Sequence, residues 1–301
     1  MSAGLWAGVD IGGSKTLALL RENGQTVAES VTPTPADAGG AAVLDTAAKL
    51  VQQLLSQHGG KLLGAGVGAA GVIGADGRVL ASSDSFTDWV GTPIGDGLSD
   101  LLNGISVSVE NDAHAFLRGE LSVAQAQPEN ALAVILGTGV GGALQVDGRI
   151  LRGASDGAGA GEIGHVGHYG DELCSCGQRG HLEAYASGRS LSRRYAAVTG
   201  IDLPSAVVAA AAFGGDAQAA AIFEEAGVIL GSAIAQAAGL LGLDLAILGG
   251  GVLGSWGLME KSVLQALAEQ PLVSGAVVRT QLSQLGGRAV AVGAAELART
   301  R

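Results

Sequence analysis

Three apolar segments of this chain run straight into glycine-rich turns: Val9-Asp10-Ile11-Gly12-Gly13-Ser14-Lys15, Ile135-Leu136-Gly137-Thr138-Gly139-Val140-Gly141-Gly142 and Ile247-Leu248-Gly249-Gly250-Gly251-Val252. Each reads as a buried strand ended by a turn where the backbone can approach a ligand closely. Amides in such turns can cradle phosphate oxygens. Asp10, a carboxylate at the end of its strand, can hold Mg²⁺ through water. Neither the G-x-x-x-x-G-K-[ST] nor the G-x-G-x-x-G spacing is present. An ordinary hairpin explains any one of these turns. Three at strand ends suggest that Gly12 to Thr16 and Gly137-Thr138-Gly139 face phosphates and that Gly249-Gly250-Gly251 approaches a nucleotide.

The intervening pattern alternates short strands with helices. Leu5–Val9 and Thr16–Arg21 read as strands, with Glu22-Asn23-Gly24 a hairpin turn. Val43, Ala47, Val51 and Leu54 share one face of a helix over 42–57, stopped by Gly59-Gly60. Strands follow at 63–69, 78–82 and 105–110, then a helix at 113–121. Strands at 131–136, 141–146 and 149–151 flank the Asp147-Gly148 turn. Helices are expected over 182–199, 205–212 and 217–241, a strand at 245–248, a strand or turn at 287–293 and a closing helix at 294–300. The pattern fits a bilobal α/β protein with a cleft between its lobes. No repeat of 20–50 residues is visible.

Composition narrows the class. With 301 residues, 51 glycines, 3 % aromatic residues and a net charge of −11, the chain needs a core of Ala, Val, Leu and Ile. The acidic balance argues against nucleic-acid and anionic-membrane partners. The first residues lack a basic, apolar leader pattern, and the apolar run 235–248 is broken by Gly239, Gly242 and Asp244. A cytoplasmic protein is the expectation.

Both cysteines, Cys174 and Cys176, lie between His165 and His181. Two thiolates and two imidazoles can close a tetrahedral zinc site. The plainer alternative is two free cysteines near surface histidines. Glu162 and Glu183 flank the loop, so a metal clip there can aim carboxylates into a pocket. Glu110-Asn111-Asp112 ends a strand and opens a helix. Asp112 can act as a general base and Asn111 can bind a hydroxyl, although Asn and Asp are also the favoured helix caps.

In order and spacing, VDIGGSKT, ENDAHAF, LGTGVGG, GAGEIGH, CSCGQRGHLEAYASG and LDLAILGGGV resemble the ROK family of sugar kinases and repressors, within the actin-like ATPase superfamily. The resemblance implies an α/β, two-lobed actin-like ATPase (ribonuclease-H-like) fold with the active site in the interlobe cleft. The expected lobes are 1–113, to which a helix at about 290–301 returns, and 114–289, with a zinc loop at 162–183. It implies ATP and Mg²⁺ as cofactors, a structural Zn²⁺ and a small-molecule sugar. It makes Asp112 the base toward a sugar 6-hydroxyl, with Asn111, Glu162, His165 and Glu183 around the sugar. Asp10 falls on the Mg²⁺ side. Gly12, Gly13, Ser14, Lys15, Thr16, Gly137, Thr138 and Gly139 fall near the phosphates, and Gly249, Gly250 and Gly251 near adenosine. A homodimer or homotetramer is expected.

Two departures from the family pattern matter. His181 stands where a third cysteine is usual, giving a His165, Cys174, Cys176, His181 metal set with His168 as a possible substitute. Ser83-Asp84-Ser85 stands where glucokinase-like members often carry Asn. Small side chains there leave room for an N-acetyl group, and Asp84 can accept from its amide. N-acetylmannosamine is therefore the expected sugar, ahead of glucose and N-acetylglucosamine. The rivals are a sugar-sensing regulator without a DNA-binding domain, and polyphosphate in place of ATP.

Overall fold

The computed structural model describes residues 4–82, 85–125, 127–153 and 159–300. The chain forms two compact units: Met1–Gln127 with Arg152–Ala160 and Gln284–Arg301, and Pro128–Leu151 with Gly161–Ser283.

In the first unit, β1 (Leu5–Ile11), β2 (Lys15–Glu22), β3 (Gln25–Pro33), α1 (Gly40–His58), β4 (Leu62–Ala69), β5 (Val72–Ile73), β6 (Val79–Ala81), α2 (Ile94–Leu101), β7 (Val107–Asn111) and α3 (Asp112–Val123) follow in order. The main sheet runs β3-β2-β1-β4-β7. β2 and β3 are antiparallel, while β1, β4 and β7 run parallel. The β2–β3 turn places Asn23 and Gly24 at φ 51° and 80°, the pair of positive values that matches strand twist. One sheet face packs on Val43, Ala47, Val51 and Leu54 of α1 and Leu98 of α2. The closing helix α9 (Ala289–Thr300) and α3 cover the other.

The second unit contains β8 (Ala131–Leu136), β9 (Val140–Val146), β10 (Arg149–Ile150), α4 (Glu183–Ala186), α5 (Gly188–Thr199), α6 (Ser205–Phe213), α7 (Ala217–Leu241), β11 (Leu245–Gly249), α8 (Glu260–Glu269) and β12 (Arg279–Leu282). Its sheet runs β10-β9-β8-β11-β12, again with three antiparallel strands followed by parallel additions. The two units thus repeat one topology. Helix α7 is long and apolar enough to cross a membrane, but 56 % of that stretch is buried within the protein, as expected of a core helix.

Three boundaries differ from the sequence expectation. The first unit continues beyond residue 113 to Gln127, because α3 packs along α9. The expected helix over 182–199 breaks at Ser187, whose extended backbone (φ −76°, ψ 153°) and side chain cap the Ser190 amide. The closing helix begins at Ala289, taking in a stretch expected to be strand or turn. Runs of Gly, Ala and Val fit either state locally, and packing on the sheet selects the helix.

That packing is unusually close. A Cβ on Gly66 would lie 1.7 Å from the Ala294 carbonyl oxygen, and one on Gly8 would lie 1.9 Å from that of Ala291. On the far side of α9, a Cβ on Gly293 would lie 1.8 Å from the Ala115 carbonyl oxygen. Gly66→Val therefore displaces backbone and not merely a neighbouring side chain. Urea unfolding should show a loss of about 3 kcal/mol or more. Gly251→Ala, where a Cβ meets open space, should leave the midpoint nearly unchanged.

Candidate functional site

In the first unit, the chemistry gathers where the parallel strands end. Asp10, Gly68 and Glu110 are register partners across β1, β4 and β7, so Asp10 and the residues after Glu110 emerge at the same sheet edge. Asn111 caps α3, its Oδ1 accepting from the Ala113 and His114 amides at 2.8 and 3.4 Å. Its Nδ2 donates to the Gly71 carbonyl at 2.9 Å. The expected tension between cap and hydroxyl ligand resolves by division: capping uses the oxygen, and one amide N–H remains for a ligand. Asp112 is the first helical residue, and its Oδ1 accepts from the Ala113 amide at 2.9 Å.

Behind this corner, the buried Glu110 carboxylate receives two bonds from Arg118, at 2.9 and 3.0 Å. Arg152 lies 3.8 Å away. The two-pronged pair fixes the β7–α3 junction that carries Asp112. Burial, and secondly the Asp112 charge, pushes the Asp10 carboxyl up to about 7, against a lowering influence from Lys15. Two carboxylates held together in this way favour a cation beside them.

The first glycine turn closes on itself, with the Gly12 amide donating to the Lys15 carbonyl at 3.1 Å. Gly12 and Gly13 are half-buried, and Ser14 and Lys15 are exposed. Thr16 does not belong to this surface. Its side chain is fully buried, and its hydroxyl bonds that of Thr34 at 2.8 Å, because β2 turns it into the sheet interior. A Cβ on Gly13 would lie 3.1 Å from that of Ser85. The chain after 84 therefore reaches this turn, with Phe86 stacked on Trp89 at 4.9 Å. Asp84 itself lies outside the described residues.

In the second unit, the turn Gly137-Thr138-Gly139 is held from two sides. The α5 amides of Gly188 and Arg189 donate to the Gly137 and Thr138 carbonyls at 2.8 and 3.4 Å. The Glu183 carboxylate accepts from the Val140 amide at 2.9 Å through one oxygen and from the Ser175 hydroxyl through the other. Glu183, expected beside a sugar, thus also fastens the glycine turn to the Cys/His loop. A Cβ at Gly139 would meet this carboxylate at 2.6 Å. Glu162 is exposed before the short 3₁₀ turn Ile163–His165.

The loop brings His165, Cys174, Cys176 and His181 together, with one donor atom of each within 4.8 Å of the others. Cys174 Sγ lies 3.5 Å from His165 Nδ1, and Cys176 Sγ lies 3.2 Å from His181 Nδ1. Bonds of about 2.0–2.3 Å to a tetrahedral zinc require donor separations close to these. A tight turn sets the geometry: Cys174 N donates to Gln178 O at 2.8 Å, and Gly177 N donates to Cys174 O at 3.0 Å. Burial raises the Cys174 thiol above its ordinary value, so its thiolate calls for a cation. His168 stands outside the group. The donor set fits zinc.

Gly249 also departs from expectation. It is the buried last residue of β11, paired with Ile135, so its backbone is committed to the sheet. Gly250 (φ 97°) packs against the end of β8, where a Cβ would lie 2.3 Å from the Leu136 carbonyl oxygen. Gly251 opens the 3₁₀ turn Gly251–Leu258 and helps line a cavity of about 270 Å³ with Ser205, Ala209, Phe213 and Gly254. The sequence reading missed the α6 contribution. Its run of small residues carries no motif, and the slot exists only because they face the turn.

Two outcomes follow. Purified protein should hold one zinc per chain by elemental analysis, and Cys176→Ser should lose it. Above pH 7 the raised Asp10 carboxyl must ionise in the fold, so native stability of the metal- and nucleotide-free protein falls as pH rises from about 4 to about 7. Asp10→Asn should therefore melt higher than the parent protein at pH 8, and the difference should close near pH 4.

The ROK family model matches residues 6–301. A glucokinase from Halalkalibacterium halodurans is 31 % identical, the alignment covering 97 % of this chain and 94 % of the relative. An N-acetylmannosamine kinase from Vibrio cholerae is 28 % identical, covering 88 % and 90 %. The crystal structure of a ROK family glucokinase from Streptomyces griseus in complex with glucose and AMPPNP is 30 % identical, with a TM-score of 0.79 and coverage of 99 % and 100 %. The match takes in both units and every turn described above: the chain belongs to the ROK family and has its actin-like ATPase fold.

Proposed function

We propose that this chain, an ATP-dependent sugar kinase of the ROK family, transfers the γ-phosphoryl group of ATP to the 6-hydroxyl of a hexose, with glucose as the favoured acceptor. The observation that carries the reading is the electrostatically paired Asp10 and Asp112 at the ends of β1 and β7, the two strands that flank β4, with Asp112 fixed on the first turn of α3. Relatives that are glucokinases, 31 % identical over nearly the whole of both chains, support glucose.

Asp112 takes the proton from the 6-hydroxyl as that oxygen attacks phosphorus. The Glu110–Arg118 pair keeps its helix in place. Asn111, Glu162 and His165 orient sugar hydroxyls. Phosphoryl transfer demands mainly positioning and charge stabilisation. The turns at Gly12–Lys15 and Gly137–Gly139 supply the phosphate contacts, and the slot beside Gly251 takes the nucleotide base. Mg²⁺, when bound, neutralises phosphate charge, and Asp10 is the residue placed to hold it through water. Zinc, held by His165, Cys174, Cys176 and His181, stiffens the loop to which Glu183 ties the second turn.

N-acetylmannosamine is a second reading, which rests on the small side chains of Ser83 and Ser85 and on the N-acetylmannosamine kinase relative. A coupled ADP-release assay over glucose, mannose, N-acetylglucosamine and N-acetylmannosamine, with ATP and Mg²⁺, tests both. A kcat/KM for N-acetylmannosamine ten-fold or more above glucose, roughly the discrimination one buried hydrogen bond supplies, would reverse the order. No turnover with any of the four would remove the hexose reading. In the same assay, Asp112→Asn should lower kcat by about 10²–10⁴ while sugar binding persists.

A further inference from the structure

A charged cavity in the first unit lies away from this chemistry. It has a volume of about 610 Å³, and its lining includes Trp6, Arg21, Asn23, Leu63, Glu296 and Arg299. Trp6 and Leu63 lie near the starts of β1 and β4, and Arg21 near the end of antiparallel β2. Asp10 and Asn111 lie at the other ends of the parallel strands. The cavity and the phosphate turn are therefore at opposite edges of one sheet.

Its charge is unusual for a chain of net charge −11. Arg21 and Arg299 face one carboxylate, Glu296, which bonds Arg299 Nε at 2.8 Å and lies 3.1 Å from Arg21 Nη1. The local sum is one positive charge. Arg21 is only 7 % exposed. Its Nη2 donates to the Gly24 carbonyl; its Nη1 is ion-paired with Glu296 without an aligned hydrogen bond, and its Nε has no hydrogen-bond acceptor among the described residues. A buried guanidinium with unused donors is costly unless an acceptor or solvent reaches it. Arg21 itself lines the adjoining cavity, although these two nitrogens are shielded from solvent.

The other walls limit what that acceptor belongs to. The volume exceeds what a bare oxyanion fills and lies in the range of small-molecule sites. The indole of Trp6 is half-buried, and Leu63 is 44 % exposed, so they offer an apolar surface. The exposed Asn23 adds an amide able to bond hydroxyls. A guanidinium pair reads phosphate oxygens well, while an indole suits the C–H face of a sugar ring.

We propose that this cavity is a second ligand site, for a sugar phosphate monoester, whose phosphate meets Arg21 and Arg299 and whose sugar rests on Trp6. The choice of sugar phosphate builds on the kinase reading, since such an ester is that reaction's product. Calorimetry reads binding without turnover, and the Arg299 and Glu296 variants separate this cavity from the active site whichever sugar the enzyme prefers.

The test titrates glucose 6-phosphate, and separately inorganic phosphate, into full-length protein presaturated with glucose and AMPPNP. Saturable binding of glucose 6-phosphate is expected. Arg299→Gln, at an exposed position, should weaken it about ten-fold, the scale of one lost charge-assisted bond. Glu296→Gln, which removes the competing carboxylate, should tighten it. Both variants should keep the parent kcat and KM for glucose. Absence of saturable binding at millimolar ester, or an unchanged affinity in Arg299→Gln, would overturn the site. Inorganic phosphate binding as tightly as the ester would overturn the sugar-phosphate assignment.

Discussion

Helix α9 touches the first sheet through backbone, and that contact sets the terms for the unit around it. Glycines at 8 and 66 let the Ala291 and Ala294 carbonyls approach to distances that any side chain would block. On the opposite side, Gly293 and Gly119 admit α3 just as closely: a Cβ on Gly119 would lie 2.1 Å from the Ala289 carbonyl oxygen. Because α3 begins with Asn111 and Asp112, the position of the candidate base follows from how near a helix almost 180 residues later can settle. Core density here comes from removing side chains, which explains how a chain with 3 % aromatic residues and 51 glycines can still bury a continuous interior.

The second unit solves its packing in the same manner. A Cβ on Gly231 of α7 would lie 2.6 Å from the Val263 carbonyl oxygen of α8. A Cβ on Gly164 would lie 2.1 Å from the Val140 carbonyl oxygen, and its absence seats the His165 turn against β9. Both sheets share one strand order, and in both the first strand ends in a glycine turn. The repeat escapes inspection of the sequence because the fold conserves a pattern of burial and turns, and different apolar residues satisfy it equally well.

The site is organised by hydrogen-bonded ties between motifs. Glu183 connects the Cys/His loop to the glycine turn through Ser175 and Val140. Arg118 and Glu110 brace the strand end that presents Asp112. These ties make loop segments behave as fixed surfaces, which a phosphoryl-transfer site requires, since misplacement costs rate steeply. They also show why a charged residue near a motif need not face the ligand alone: a carboxylate has two oxygens, and the fold can use one or both.

Much of the fold and site was legible in the sequence where the signal is local. Strands ending in glycine turns, the Asn23-Gly24 and Asp147-Gly148 hairpins, the Asn-Asp helix start and the clustered Cys and His spacing all depend on neighbouring residues, so the chain alone determined them. Tertiary structure decided the rest. Thr16 belongs to the interior and Gly249 to the sheet because strand register, and not motif membership, sets which way a residue faces. The start of α9 at Ala289, the cavity beside α6 and the Arg21 cavity arise where segments distant in sequence meet. Small apolar residues carry no record of those meetings, because their conformation is chosen by what packs against them.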